Sequence, residues 1–181
     1  MRTNVVLTLT GPDRIGIVEQ VTDALLQVGG NVESSRMARL GGEFAIIALV
    51  ATSGEGRASV ESALDSLVAA GYRVTVTGTD ATAGAAQAGW RPYKIAVQGA
   101  DHEGIIHEIA AGLSRSGVTI ESMETGVAEA PVSGAPLFWM SALVAAPPQL
   151  TEAGWIAQLH AAAEQSNVDV DVSPVEVARP L

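Results

Sequence analysis

The sequence predicts an α+β fold built from two β-α-β-β-α-β units in tandem, and three observations predict it. The passage Gly11-Pro12-Asp13-Arg14-Ile15-Gly16-Ile17-Val18 returns 88 positions later as Gly99-Ala100-Asp101-His102-Glu103-Gly104-Ile105-Ile106. The correspondence holds at that offset through Gly29 and Gly117 and through Val32-Glu33-Ser34 and Ile120-Glu121-Ser122. It resumes six residues further apart, with Phe44 on Phe138 and Ala48-Leu49-Val50-Ala51 on Ala142-Leu143-Val144-Ala145. Self-similarity of this length marks a whole small domain and is too long for a solenoid unit. Within each copy, strand and helix periodicities alternate in the same order.

In the first copy, Val5, Val6, Leu7 and Leu9 form a β-rich run that Gly11-Pro12 closes. Asp13 then stands ahead of Ile17, Val18, Val21, Leu25 and Val28, which recur at helical spacing over about four turns, with Gly29-Gly30 as the stop. Alternation returns over 31–40. Gly41-Gly42 can take the positive φ of a tight hairpin, and 44–50 is the partner strand. Val60, Ala63, Leu64, Leu67 and Val68 share one stripe of a second helix ending at Gly71, and 72–76 is the last strand. Residues 80–91, rich in Ala, Gly and Thr without apolar rhythm, read as a linker between a first domain at 1–79 and a second at 92–181. In the second copy we expect a strand through Ile95 and Val97, a helix over 102–116, strands over 118–128 and 137–145, a helix capped by Thr151 that runs to Gln165, and a closing strand over 168–177. The six added residues fall at 130–136, where a hairpin tip tolerates insertion because no buried backbone is disturbed. Such a unit is ferredoxin-like: an antiparallel four-stranded sheet with both helices on one face. Its uncovered face and free edges call for the repeats to pack and for the chain to dimerise.

Composition narrows the function. With 181 residues, 48% of them hydrophobic and 17% charged, the chain can bury two modest cores. It has no Cys, which fits a reducing compartment and gives the cytoplasm as the expected location, and the amino terminus runs directly into a strand-like segment, so secretion is not expected. No apolar run reaches the roughly 18–20 residues needed to span a bilayer. The net charge of −10 repels a phosphate backbone, so direct DNA or RNA binding is disfavoured.

Enzyme signatures fail on spacing. His102 and His107 are five apart, about 140° around a helix, and cannot share a metal; the chain holds one further His, at 160. There is no GxxxxGK[ST] loop, no GxGxxG after a strand and no GxSxG serine, so neither a nucleotide, a metal nor another cofactor is implied. Arg36 and Arg39, three apart on a strand, point to opposite faces and form no single basic patch. Trp139, on a strand, is expected in a core or an interface.

The strand-to-helix loops carry what chemistry there is. A turn feeding a helix N-terminus presents backbone N–H groups without intrahelical partners at the positive end of the helix dipole, which suits a carboxylate. Gly16 and Gly104 allow close approach. Asp13 and Asp101, three positions earlier, offer an oxygen either to an ammonium group or to the helix as an N-cap. Asn31, after Gly29-Gly30, is either a ligand contact or a left-handed turn residue.

The tandem layout, the 11–18 loop and the stretch 30–44 (GNVESSRMARLGGEF) resemble ACT domains. The resemblance implies an amino-acid-sensing regulatory protein that controls transcription by contacting a protein partner such as a transcriptional activator, with no DNA-binding or catalytic domain of its own. It suggests glycine or a similar amino acid as the ligand. Two alternatives stay open: a regulatory module acting in trans on a metabolic enzyme, and a ligand-free scaffold. In ligand-binding ACT domains the loop and an Asn at the start of the next strand hold the amino acid, which implies contacts at Asp13, Arg14, Ile15, Gly16 and Asn31. The counterparts Asp101, His102, Gly104 and Thr119 are lesser candidates, because Thr119 replaces the Asn and Glu103 adds a negative charge beside the loop.

The charge balance generates a first prediction. The purified protein alone leaves duplex DNA unshifted at physiological salt. A sequence-specific shift in an electrophoretic assay without a second protein would remove the partner-mediated reading.

Overall fold

The structure, a computed structural model, describes residues 2–53, 56–79, 87–130 and 134–175. The chain divides into two compact units, Met1–Ala86 and Gln87–Leu181. The linker expected at 80–91 falls partly outside the described residues, and 87–90 form a turn ahead of the second unit.

In the first unit, β1 (Arg2–Pro12), α1 (Ile17–Gln27), β2 (Asn31–Leu40), β3 (Glu43–Ser53), α2 (Arg57–Ala63), α3 (Asp65–Ala69) and β4 (Arg73–Thr79) follow one another. The second repeats the order with β5 (Arg91–Ala100), α4 (Ile105–Arg115), β6 (Thr119–Glu129), β7 (Pro136–Ala146), α5 (Glu152–Gln165) and β8 (Val168–Pro174). Each sheet is antiparallel, ordered β2-β3-β1-β4 and β6-β7-β5-β8. The α+β fold with ferredoxin-like units in tandem is therefore the one read from the repeat.

Period-two alternation sorts each strand onto two faces. Val5, Leu7 and Leu9 of β1 and Phe44, Ile46, Ala48 and Val50 of β3 point to the helices, where they meet Ile17, Val21 and Leu25 of α1 and Val60, Leu64 and Leu67. In the second core Ile95, Val97, Met140 and Val144 meet Ile105, Ile109, Leu113 and Leu159. Tyr93 and Trp155 lie edge to face there at 5.1 Å, and the Tyr93 hydroxyl donates to Glu152 Oε2 at 3.2 Å, tying β5 to the start of α5. Burial first, and then that bond, hold the Tyr93 phenol above its ordinary value.

Local expectations meet mixed outcomes. Gly41 and Gly42 have φ of 59° and 87° and join β2 to β3 in a two-residue turn, as their spacing predicts. Of the added residues expected at 130–136, 131–133 lie outside the described residues; at their flanks Ala130 N–H donates to Ala135 O at 2.8 Å. Thr151 is the N-cap residue of α5, although its side chain makes no cap bond. The second helix of the first unit is two short ones: Leu64 N–H donates to Glu61 O and Leu67 N–H to Leu64 O, i to i−3 bonds that tighten the chain at Leu64. Val68, expected on the buried stripe, is 50% exposed in consequence. Each sheet carries one bulge at the same place, between Val32 and Ser34 and between Ile120 and Ser122. Beyond it Arg36 pairs with outward Ile47 and Arg39 with inward Phe44, so the two arginines do lie on opposite faces.

Two glycines set the approach of β1 to β4 and of β5 to β8. A Cβ on Gly11 would stand 2.5 Å from Tyr72 Cδ1, and one on Gly99 would stand 2.6 Å from Val168 Cγ1. Gly11→Ala and Gly99→Ala should therefore each cost about 1–3 kcal/mol through overpacking. Urea unfolding followed by far-UV circular dichroism, which reads both units, checks this, and a loss under about 0.5 kcal/mol would show that the strands shift freely.

Candidate functional site

The two strand-to-helix loops are built alike, and not on an aspartate cap. Helix α1 begins at Ile17 behind Gly16 and α4 at Ile105 behind Gly104, with φ of 85° and 96° and no side-chain cap bond at either. Asp13 and Asp101 stand too early to cap, and both helices start later and run three turns instead of four. A left-handed N-cap is open to glycine at no Cβ penalty; Ile17 N–H donates to Arg14 O at 3.3 Å, and no cap side chain accepts from either helix start. Among the described residues nothing accepts from the backbone N–H of Arg14, Ile15 or Gly16, nor from those of His102, Glu103 or Gly104. Each loop thus offers three successive main-chain donors at the positive end of an 11-residue helix.

The loops are anchored at both sides. Asp13 N–H donates to Gly42 O at 2.8 Å in the β2–β3 turn, and Asp101 N–H to Pro136 O at 3.2 Å at the start of β7. On the other side Tyr72, 4% exposed, donates its hydroxyl to Pro12 O at 2.7 Å and accepts from Arg14 Nε at 3.0 Å. The Arg14 guanidinium lies 5.6 Å from the Tyr72 ring centroid, and Nη2 donates to Gln20 Oε1 at 2.5 Å. Arg14, expected among the ligand contacts, spends its side chain clamping its own loop. Ile15 at the tip is fully exposed. The Asp13 carboxylate meets Arg39 Nη1 at 3.4 Å, a loose exposed pair that contributes little to stability and leaves oxygen lone pairs free.

His102 plays the Arg14 part in the second unit. Its Nε2 lies 2.7 Å from Ser166 O and its Nδ1 2.9 Å from Glu103 O. Only the imidazolium carries two N–H donors for two carbonyls. The Glu103 carbonyl, then the Ser166 carbonyl, raise its pKa above 6.5, with Asp101 adding to them and partial burial opposing. Tyr72, Ser166 and Arg39 escaped the sequence reading because each reaches its loop from a strand or helix end far along the chain.

The structure separates Asn31 from the loop of its own unit. Asn31 and Asn4 both pair with Ala51, whereas the loop follows Pro12, so the two lie at opposite ends of β1, roughly 30 Å apart at ~3.3 Å per residue. Thr119 stands likewise beside Ala145, level with Pro92. Asn31 is extended, not left-handed; the positive φ of 66° falls on Gly29. It borders a shallow depression of about 410 Å³ with Glu19, Thr22 and Asp23 of α1. A second, of about 450 Å³, is lined by Asp101, His102, Gly104, Ile105 and Phe138 at the second loop. A third, of about 460 Å³, lies on the face of the first sheet away from the helices, between Glu43 and Arg73. Trp139 is on the corresponding face of the second sheet, 37% exposed, with its indole against Gly126.

The fold and its loops thus define a protein of two ferredoxin-like α+β units, each presenting main-chain donors in its first loop. Residues 3–71, in the first unit, match the ACT domain family; the second unit repeats the same fold, so the chain resembles a tandem ACT protein. It is similar to the glycine cleavage system transcriptional repressor of Escherichia coli (strain K12), at 42% identity over 59 residues, 33% of this chain and 31% of the repressor. The chain thus matches under a third of the length of that relative, and the Shigella flexneri repressor matches to the same extent. Among solved structures, an unknown protein from Galdieria sulphuraria is 34% identical, with a TM-score of 0.86 over 97% of this chain and 100% of that one. A protein assigned as a glycine cleavage system transcriptional repressor superposes with a TM-score of 0.70 over 98% of this chain and 99% of its own, at 18% identity, which speaks for the fold.

The His102 geometry yields a pH prediction. Because its folded pKa lies above the unfolded value, its contribution is complete below about pH 6.5 and is lost as pH rises through the raised value. Stability of the second unit should decline across that window in the wild type and lose this slope in His102→Gln. Urea midpoints from about pH 6 to pH 8, with imidazole titration by NMR, measure both.

Proposed function

We propose that the chain is a non-enzymatic amino-acid sensor that regulates transcription through a protein partner, in the manner of the glycine cleavage system repressors, with glycine or a similar small amino acid as ligand. The observation that carries the reading is the pair of uncapped loops, each with three unclaimed N–H groups behind a left-handed glycine, in an ACT fold. Main-chain donors hold a carboxylate, and the Asp13 oxygens lie within the same loop for an ammonium group. No general base or nucleophile is needed for such a site, and the acidic chain suits contact with a protein better than with DNA. The partner is a protein such as a transcriptional activator, the assembly a homodimer, the compartment the cytoplasm.

The first repeat supplies the principal contacts in this reading, because the family match lies on it and Asn31 belongs to it. Since Asn31 is a strand-length from its own loop, an amino acid touching both takes the loop from a different sheet. A hydrogen bond to a charged group contributes about 1.5–3 kcal/mol, so its loss weakens a small-ligand site roughly tenfold or more.

Thermal-shift screening against the twenty amino acids tests the reading, since a ligand bound only by the folded state raises its stability. We expect a shift with glycine or a close analogue, abolished in Asn31→Ala and largely kept in Thr119→Ala. No shift with any amino acid would leave a ligand-free scaffold, and equal losses in the two variants, or binding kept in Asn31→Ala, would overturn the asymmetry between the repeats.

A further inference from the structure

The faces of the two sheets that point away from the helices are homologous in shape and opposite in charge. In the first sheet the outward residues of the edge strands include Arg36 on β2, beside Ile47, and Arg73 on β4, beside Thr10. At the equivalent positions of the second sheet stand Glu124 on β6, beside Ser141, and Asp169 on β8, beside Gln98, followed by Asp171 beside Ala96. The inner strands between these rims carry the apolar centre: Ile47 is 50% exposed on the first face, Leu137 and Trp139 38% and 37% on the second. Each centre also holds a charge opposite to its rims, Glu43 beside Pro12 on the first face and Lys94 beside Ser173 on the second, which reduces the contrast without reversing it. Sheets pack face to face at about 10 Å with strands nearly aligned. Because the charges sit on both edges of each face, an arginine rim meets an acidic rim whether the strands run parallel or antiparallel. Two first faces stacked together set Arg against Arg, and two second faces set acid against acid.

We propose that the outer face of the first sheet binds the outer face of the second sheet of another copy of the chain. Each chain has one face of each kind, so a dimer with two such contacts leaves none uncovered. At ~4.8 Å between strands and ~3.3 Å per residue, four strands by about five residues give roughly 320 Å² per face. Two contacts then bury on the order of 1,300 Å², the size of a stable specific interface. This pairing is independent of the amino-acid site, which lies at the loops and not on these faces.

Light scattering of the full chain and two charge-reversal variants, at tens of micromolar protein, tests it. Wild type should be a dimer whose dissociation rises with salt. The Arg36→Glu/Arg73→Glu chain has two acidic faces and the Glu124→Arg/Asp169→Arg chain two basic ones, so each alone should be monomeric, with association weakened tenfold or more. Mixed in equal amounts they should form a heterodimer, and combining all four changes in one chain should restore the homodimer. That recovery also shows that the variants fold. A monomeric wild type, variants that still dimerise alone, or no association on mixing would each overturn the proposal.

Discussion

The contact on which the first unit's site depends is the close passage of Gly11 under the Tyr72 ring. With no side chain at Gly11, β1 and the residue ahead of β4 approach until the Tyr72 ring fills the space a Cβ would take. The Tyr72 hydroxyl then reaches Pro12 O and Arg14 Nε, so one buried phenol fixes both the end of the strand and the first residues of the loop. The second unit solves the same problem with other chemistry. Val168 takes the ring's place over Gly99, and the loop is held from the C-terminal end of α5 through His102 and the Ser166 carbonyl. A neutral aromatic clamp in one repeat and a titratable one in the other give two loops of equal geometry and unequal pH response.

The anchoring leaves the loop donors free for a physical reason. An aspartate at the N-cap satisfies an orphan N–H and lowers the affinity of the helix start for any other anion. Gly16 and Gly104 in the left-handed region turn the chain into the helix without an acceptor, which costs local stability that the tight anchoring of the flanking strands offsets. Loops made this way are anchored at both ends and unsaturated in hydrogen bonding between them, so their free donors are already in place for an acceptor. The repeats diverge in the side chains around the loops, in the second helix and in the β6–β7 connection; the bulge, the strand order and the glycine contacts are shared.

The repeat, the charge balance and the glycine pattern determined the architecture before any coordinates: two ferredoxin-like units, the hairpin at Gly41-Gly42, the insertion between β6 and β7, and the opposite facing of Arg36 and Arg39 all follow from local periodicity and backbone preference, which act over a few residues. The family was legible in the same loops. What only the tertiary structure decided is how residues far apart in sequence share the site. Asp13 reads as a cap and is instead beside Arg39; Arg14 reads as a ligand contact and is bound to Tyr72, 58 positions on; Asn31 reads as a neighbour of the loop and lies at the other end of the sheet. Strand register and the antiparallel return of the helix set those distances, and they arise from packing across the whole core, for which a linear pattern has no signal.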